Sequence, residues 1–289
     1  MTFILIIIII MNNKLFVGDS NVYIFSYFTK YGVKVIKYKG SPIKGIVNKN
    51  EIYQKIIENI NKFKPTDLFL VFGIVDLNFY YYFKKYTENK EDIFEDIKEY
   101  VKEYVKIVSE MNVKNKNIIG ILPSAIKDRY FRESLQIYGI ISKDTADKIP
   151  KEDLLMVNRN KRTEIINSIL EEECKKYNIN FCNIFSFITK DHKLVKLFSL
   201  GKIGTRNIHH RYEYLLIVFI KTCLNYLIKG KNLNSIIDEL KIKFNNYIKD
   251  KIYVDIKKTH TNKTKEEKDK LYKQSKFSKK KITKFINII

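Results

Sequence analysis

Five short apolar runs, each closed by glycine, proline or a polar turn, alternate along the chain with stretches whose apolar residues recur every three or four positions. The runs cover residues 14–18, 33–38, 68–72, 117–122 and 180–184, and they predict β-strands. The intervening segments 21–28, 51–62, 92–111 and 159–177 predict helices. Ile52, Ile56, Ile57 and Ile60 share one face of the second, and Ile165, Ile166, Ile169 and Leu170 face inward from the last. Strands that alternate with helices pair in parallel, because the crossover helix carries the chain back to the starting edge. The unbroken apolar run at 68–72 suits a central strand covered on both faces. Segment 127–154 has no clean period and reads as an irregular insertion, and an apolar helix at 212–228 follows the last strand. The expected fold is α/β: a flavodoxin-like, doubly wound parallel sheet of about five strands in three αβα layers.

Length and charge divide the chain further. With 289 residues and 45% hydrophobic content it holds one ordinary α/β domain, placed at 12–228, with an appendage on each side. Residues 1–11 are almost wholly aliphatic but fall far short of the ~20 needed to span a bilayer. They read as an extension upstream of a start at Met11; a secretory signal is the alternative, although no positive n-region precedes them. About half of the formal net charge of +22 lies in the Lys-rich extension 229–289. That basic extension reads first as a solvated end, and alternatively as a surface for an anionic partner, nucleic acid or membrane. Cys174, Cys182 and Cys223 are odd in number and lack zinc spacing, so reduced thiols are expected, with no structural disulfide and no zinc. That favours a reducing, cytoplasmic compartment.

The strand ends carry the candidate chemistry. Gly18-Asp19-Ser20 follows the first strand, and a serine there is either a nucleophile or an ordinary helix N-cap. Gly40 lies in the loop after the second strand, where its backbone N–H can approach a ligand closely or simply make a turn. Gly73, Asp76 and Asn78 follow the third strand, and five aromatics at 79–83 either wall a pocket or pack a helix on the sheet. Two of the four histidines, His209 and His210, fall in the polar loop before the last helix. An imidazole there is placed to serve as a base at neutral pH. His192 reads as a turn residue and His260 lies in the basic extension.

Taken together these blocks resemble the SGNH, or GDSL-like, hydrolase superfamily, over residues 14–228. Gly18-Asp19-Ser20 matches the first block, with Ser20 as nucleophile; Gly40 matches the glycine that donates to the oxyanion hole; Phe72-Gly73-Ile74-Val75-Asp76 resembles the third block. Ile208-His209-His210 resembles the block that supplies the base, with His209 the better overlay and His210 the alternative. The resemblance implies a serine esterase that needs no metal or other cofactor, acting on a small ester or an acylated glycan. Two blocks depart from it. Val75 stands where the family has an oxyanion-binding Asn, so that Asn78 is the substitute donor. Arg206 and Asn207 stand where an acid orients the imidazole, leaving Asn207 as the orienting candidate. Those departures motivate an alternative, a catalytically degenerate member that keeps the crevice and only binds.

Overall fold

The computed structural model describes residues 13–195, 198, 212–224, 234–240 and 242. Residues 1–11, the loop bearing Asn207, His209 and His210, and nearly all of 229–289 lie outside the described residues. Five strands, β1 (Lys14–Gly18), β2 (Lys34–Lys37), β3 (Asp67–Val71), β4 (Asn115–Ile119) and β5 (Asn180–Cys182), form one sheet. All neighbours pair in parallel, in the order β2-β1-β3-β4-β5. This is the flavodoxin-like doubly wound arrangement. Every residue of β1 and β3 is buried, as continuous apolar strands at the centre of a covered sheet must be.

Two helical layers cover the sheet. On one face lie α1 (Ser20–Tyr31), wound as a 3-10 helix and closed by Gly32 at φ 83°, and α11 (Tyr212–Thr222). Phe16 of β1 stacks on Phe69 of β3 at 4.1 Å and on Phe25 at 4.6 Å, and Phe25 in turn meets Phe219 at 5.1 Å. The other face carries α2 (Ile43–Val47), α5 (Ile93–Glu110) and α9 (Met156–Lys176), with α3 (Glu51–Phe63) beside α2. A short α10 (Phe185–Ile188) and a hairpin of β6 (Thr189–Lys190) and β7 (Lys193–Leu194) follow β5. Ile56 and Ile60 of α3 are buried as expected, with Ile52 and Ile57 partly so. Among the described residues no helix is long and apolar enough to cross a membrane.

Three expectations are corrected. Segment 127–154 is helical rather than irregular: α6 (Asp128–Ile137), α7 (Lys143–Lys148) and α8 (Lys151–Leu154) are short enough to leave no sustained period. Ile165 is 44% exposed, whereas Ile166 and Leu170 are buried. The inward face of α9 turns instead through Arg159, Asn160, Thr163 and Asn167, all at most 2% exposed, so the buried stripe is partly polar. The third correction concerns the thiols. Cys182 at the end of β5 and Cys223 just past α11 form a disulfide, with Cα atoms 5.6 Å apart, because α11 returns across the sheet to the last strand. Cys174 alone remains a buried free thiol.

A bridge across 41 residues removes chain entropy from the unfolded state worth about 4 kcal/mol. Melting in dithiothreitol is therefore expected to lower Tm by roughly 10 °C. Cys223→Ser would melt near the reduced value and be insensitive to the reductant. An unchanged wild-type Tm in excess thiol would show that the bridge carries no stability.

Candidate active site

The carboxyl ends of β1, β2 and β3 converge at one rim, where the helices switch from one face of the sheet to the other. Gly18 ends β1 in a space that admits no side chain, since a Cβ there would lie 2.3 Å from the Val71 carbonyl oxygen. Asp19 N–H donates to that carbonyl at 2.9 Å, and Tyr38 N–H donates to the Gly18 carbonyl at 2.8 Å. Those two bonds lock the start of α1 between β3 and the exit of β2. Ser20, the first residue of α1, is half-buried at this rim.

The helix is capped by its neighbour. Asp19 accepts the Asn21 N–H at 2.8 Å and the Asn21 amide at 3.0 Å, both on Oδ1. Ser20 therefore stands one position inside the helix, where an N-cap role is already taken. Its hydroxyl is not needed to start α1.

The glycines sit where expected, and for different reasons. Gly40 adopts φ +71° in an exposed turn closed by Ser41 N–H on the Tyr38 carbonyl at 3.3 Å. Nothing crowds it, so the conformation alone favours glycine. Gly73, at φ +113°, is also hemmed in, because a Cβ would meet Ile121 Cδ1 at 2.4 Å and Ile43 Cδ1 at 3.2 Å.

After Gly73 the chain forms a π-helical turn, Asp76–Tyr80, that runs into α4 (Tyr81–Tyr86). Asp76 is 1% exposed, accepts Ile43 N–H on Oδ2 at 2.9 Å and accepts the Tyr100 hydroxyl on Oδ1 at 2.8 Å. Asn78 is buried and donates its amide to the Ile74 carbonyl at 3.2 Å. Val75 is buried beside it. Of the five aromatics, Tyr82 packs fully inside, while Phe79 lies against the ring of the half-exposed Tyr138 at 5.3 Å.

Two carboxyls are thus sealed under the rim, and sequence reasoning identified only one of them. Burial pushes the Asp19 carboxyl up to about 7, against the pull of the two Asn21 hydrogen bonds and with a further push from Asp76. Burial likewise raises Asp76 to about 6, opposed by the Ile43 N–H and the Tyr100 hydroxyl. Below them Tyr104, four residues after Tyr100 on α5, has a buried hydroxyl without a partner among the described residues. The Tyr100/Tyr104 spacing on an otherwise apolar helix face was the readable signal of this layer.

The loop beyond β4 is held from α9. Asn167 pairs with both the N–H and the carbonyl of Ile121, at 2.7 and 2.9 Å, and Asn160 accepts the Ser124 N–H at 2.8 Å. The buried Arg159 donates to the Leu154 and Ile126 carbonyls at 3.1 and 2.7 Å and to Ser124 Oγ, with its guanidinium 3.9 Å above the Phe131 ring. His192 occupies a hairpin turn as expected, at φ 55°, with Nδ1 2.9 Å from Glu164 Oε2. Among the described residues no cluster of three His, Cys, Asp or Glu side chains could hold a metal ion.

The structure therefore brings Ser20, Gly40, Gly73, Asp76 and Asn78 to one rim. His209, His210 and Asn207 lie outside the described residues.

No family model and no curated protein matches this chain. Solved structures do. One is LAE5, an alpha/beta hydrolase enzyme from the metagenome of Lake Arreo, at 9% identity and TM-score 0.42, covering 72% of this chain and 94% of that one. A second is Axe2, an acetylxylan esterase from Geobacillus stearothermophilus, at 11% identity and TM-score 0.39, over 72% and 92% of the two chains. A third is the acetyl xylan esterase AlAXEase, at 12% identity and TM-score 0.40, over 72% and 98%. At such identities the chemistry of this chain has to be argued from its own rim.

Proposed function

We propose that this chain is a serine hydrolase that cleaves carboxylic esters through an acyl-enzyme on Ser20. One observation carries the reading: Ser20 leads a helix at the switch point between β1 and β3, and Asp19 has already taken the capping role a serine there would otherwise fill. A half-buried hydroxyl freed from the capping role, at the edge where α/β sheets bind ligands, is a nucleophile in waiting.

In the proposed cycle His209, with His210 the alternative, accepts the Ser20 Oγ proton as the oxygen attacks the ester carbonyl. The tetrahedral oxyanion is received by the backbone N–H of Ser20 and of Gly40. Collapse expels the alcohol, which takes the proton back from the imidazolium. Water then attacks the acyl-enzyme by the same route and releases the acid. Asn207 orients the imidazole in place of an acid, and Asn78 holds its second amide hydrogen for the oxyanion. The substrate class is a small ester or an acylated glycan.

A second reading follows from Val75 and from the Asn78 amide bonded to Ile74: a protein with the same crevice that binds an acylated ligand without cleaving it. Fluorophosphonate labelling separates the two. The hydrolase reading expects one covalent adduct on the tryptic peptide containing Ser20, blocked by prior heat denaturation. A folded protein whose Ser20 stays unlabelled would favour the binder.

A further inference from the structure

Gly40 is three residues from a second anchor. The loop that carries it leaves β2 at Lys37 and is tied at its near end by Tyr38 N–H on the Gly18 carbonyl, 2.8 Å away and two residues from Ser20. At its far end Ile43 N–H donates to Asp76 Oδ2 at 2.9 Å. Between these ties lie only Lys39, Gly40, Ser41 and Pro42. Within them the Ser41 N–H closes a turn on the Tyr38 carbonyl at 3.3 Å, and Pro42 has its φ fixed at −82°. The near tie belongs to β1 and the far tie to the segment after β3, so the loop is slung between the two strands that flank Ser20.

The far tie is built to be stiff. Asp76 is 1% exposed, and its other oxygen accepts the Tyr100 hydroxyl at 2.8 Å from α5, so the carboxyl cannot turn without breaking a second buried bond. Gly73, pressed against Ile121 and Ile43, sets the depth at which the chain reaches Asp76. Lys44 N–H also faces the carboxyl and helps to hold it.

We infer that Asp76 is a positioning residue: through the Ile43 N–H it holds the Gly40 amide at the height required by an oxyanion formed on Ser20. The catalytic consequence rests on the hydrolase reading above; the anchoring itself does not. Asp76 touches no substrate in this scheme. It acts through four residues of backbone, and misplacing an oxyanion donor by this route costs turnover without weakening ground-state binding.

The test compares Asp76→Ala, Asp76→Asn and wild type. Asparagine can still accept the Ile43 N–H on its own oxygen and present its amide to the Tyr100 hydroxyl oxygen, so it restores the tie; alanine removes both bonds. With p-nitrophenyl acetate, Asp76→Ala should lose about 100-fold in kcat with KM within about threefold, and Asp76→Asn should stay within about tenfold of wild type. Hydrogen exchange should accelerate at the Ile43 and Lys44 amides in Asp76→Ala but not in Asp76→Asn, with β3 and α5 still protected. Should alanine prevent folding, Asp76→Leu fills the volume without an acceptor and takes its place. Wild-type kcat in the folded alanine or leucine variant, or unchanged exchange at Ile43 and Lys44, would overturn the inference. If wild type shows no Ser20-dependent turnover, the hydrolase reading fails by itself, and the exchange at those two amides then decides the anchoring alone.

Discussion

Ser20→Ala is expected to reduce p-nitrophenyl acetate turnover by at least about 10³-fold while leaving the fold intact. Both halves follow from the rim. Losing the nucleophile removes the acyl-enzyme route, so the residual rate is that of water attacking a bound ester near the same backbone donors. Fold stability, by contrast, should move by no more than about 0.5 kcal/mol, because the α1 cap is the Asp19 carboxyl and Ser20 is only partly buried. A variant that lost activity by unfolding would show it in the melting curve. Parallel measurement of kcat and Tm therefore isolates chemistry from structure. Equal rates for the two proteins would remove Ser20 from the reaction, and a large fall in Tm would mean that its hydroxyl has a structural task the cap geometry does not reveal.

How much of this was legible in the sequence varies with the physics involved. The strands were, because β1 and β3 are buried on both faces and can carry only apolar side chains at their centres. Their parallel pairing followed from the crossover helices, whereas the order β2-β1-β3-β4-β5 came from the structure. Strand ends were equally readable, so Ser20, Gly40, Gly73, Asp76 and Asn78 could be brought to one rim without coordinates. What could not be read was direction within the rim. Asp19 and Asp76 look like solvent-seeking residues in a polar loop, yet both are sealed, because Gly18 and Gly73 allow the chain to dive beside Val71 and Ile121. The same blindness hid the inward face of α9. Arg159, Asn160 and Asn167 pair with backbone groups of the loop after β4, and long-range partners leave no trace in a helical period. Ile165 was assigned inward for the complementary reason, since hydropathy alone could not tell a polar buried stripe from an exposed one. The Cys182–Cys223 bridge depends on where α11 ends on the sheet, which spacing along the chain does not encode.

Asp19→Asn should make the protein more stable at pH 8 than wild type, and the gain should vanish toward pH 4. In the native state burial raises the Asp19 carboxyl to about 7 from its ordinary value of 3.8, while the unfolded chain keeps the ordinary value. Between those two values the native state therefore binds more protons than the unfolded state, and wild-type stability falls as pH rises through that window. Above about pH 7 the full penalty is present, about 4 kcal/mol for a shift of this size. Asparagine offers the same acceptor to the Asn21 N–H without titrating, so it keeps the helix cap and escapes the penalty. Asp76, raised to about 6, adds a slope of the same sign in both proteins, and Asp153, lowered through its Tyr86 and Lys85 hydrogen bonds, adds one of opposite sign. These largely cancel from the difference, except that removing the Asp19 charge also eases Asp76. Urea melts of both proteins at half-unit steps from pH 4 to pH 8 read the prediction directly: the gap should open from near zero to several kcal/mol. A gap that stays constant across that range, or a variant less stable than wild type at pH 8, would mean that Asp19 is already ionised and compensated in the native state. A carboxyl that costs this much one residue before the proposed nucleophile is the kind of strain that persists at a functional rim. If stability and turnover trade places, with Asp19→Asn firmer but slower, the penalty is tied to the reaction rather than to the fold.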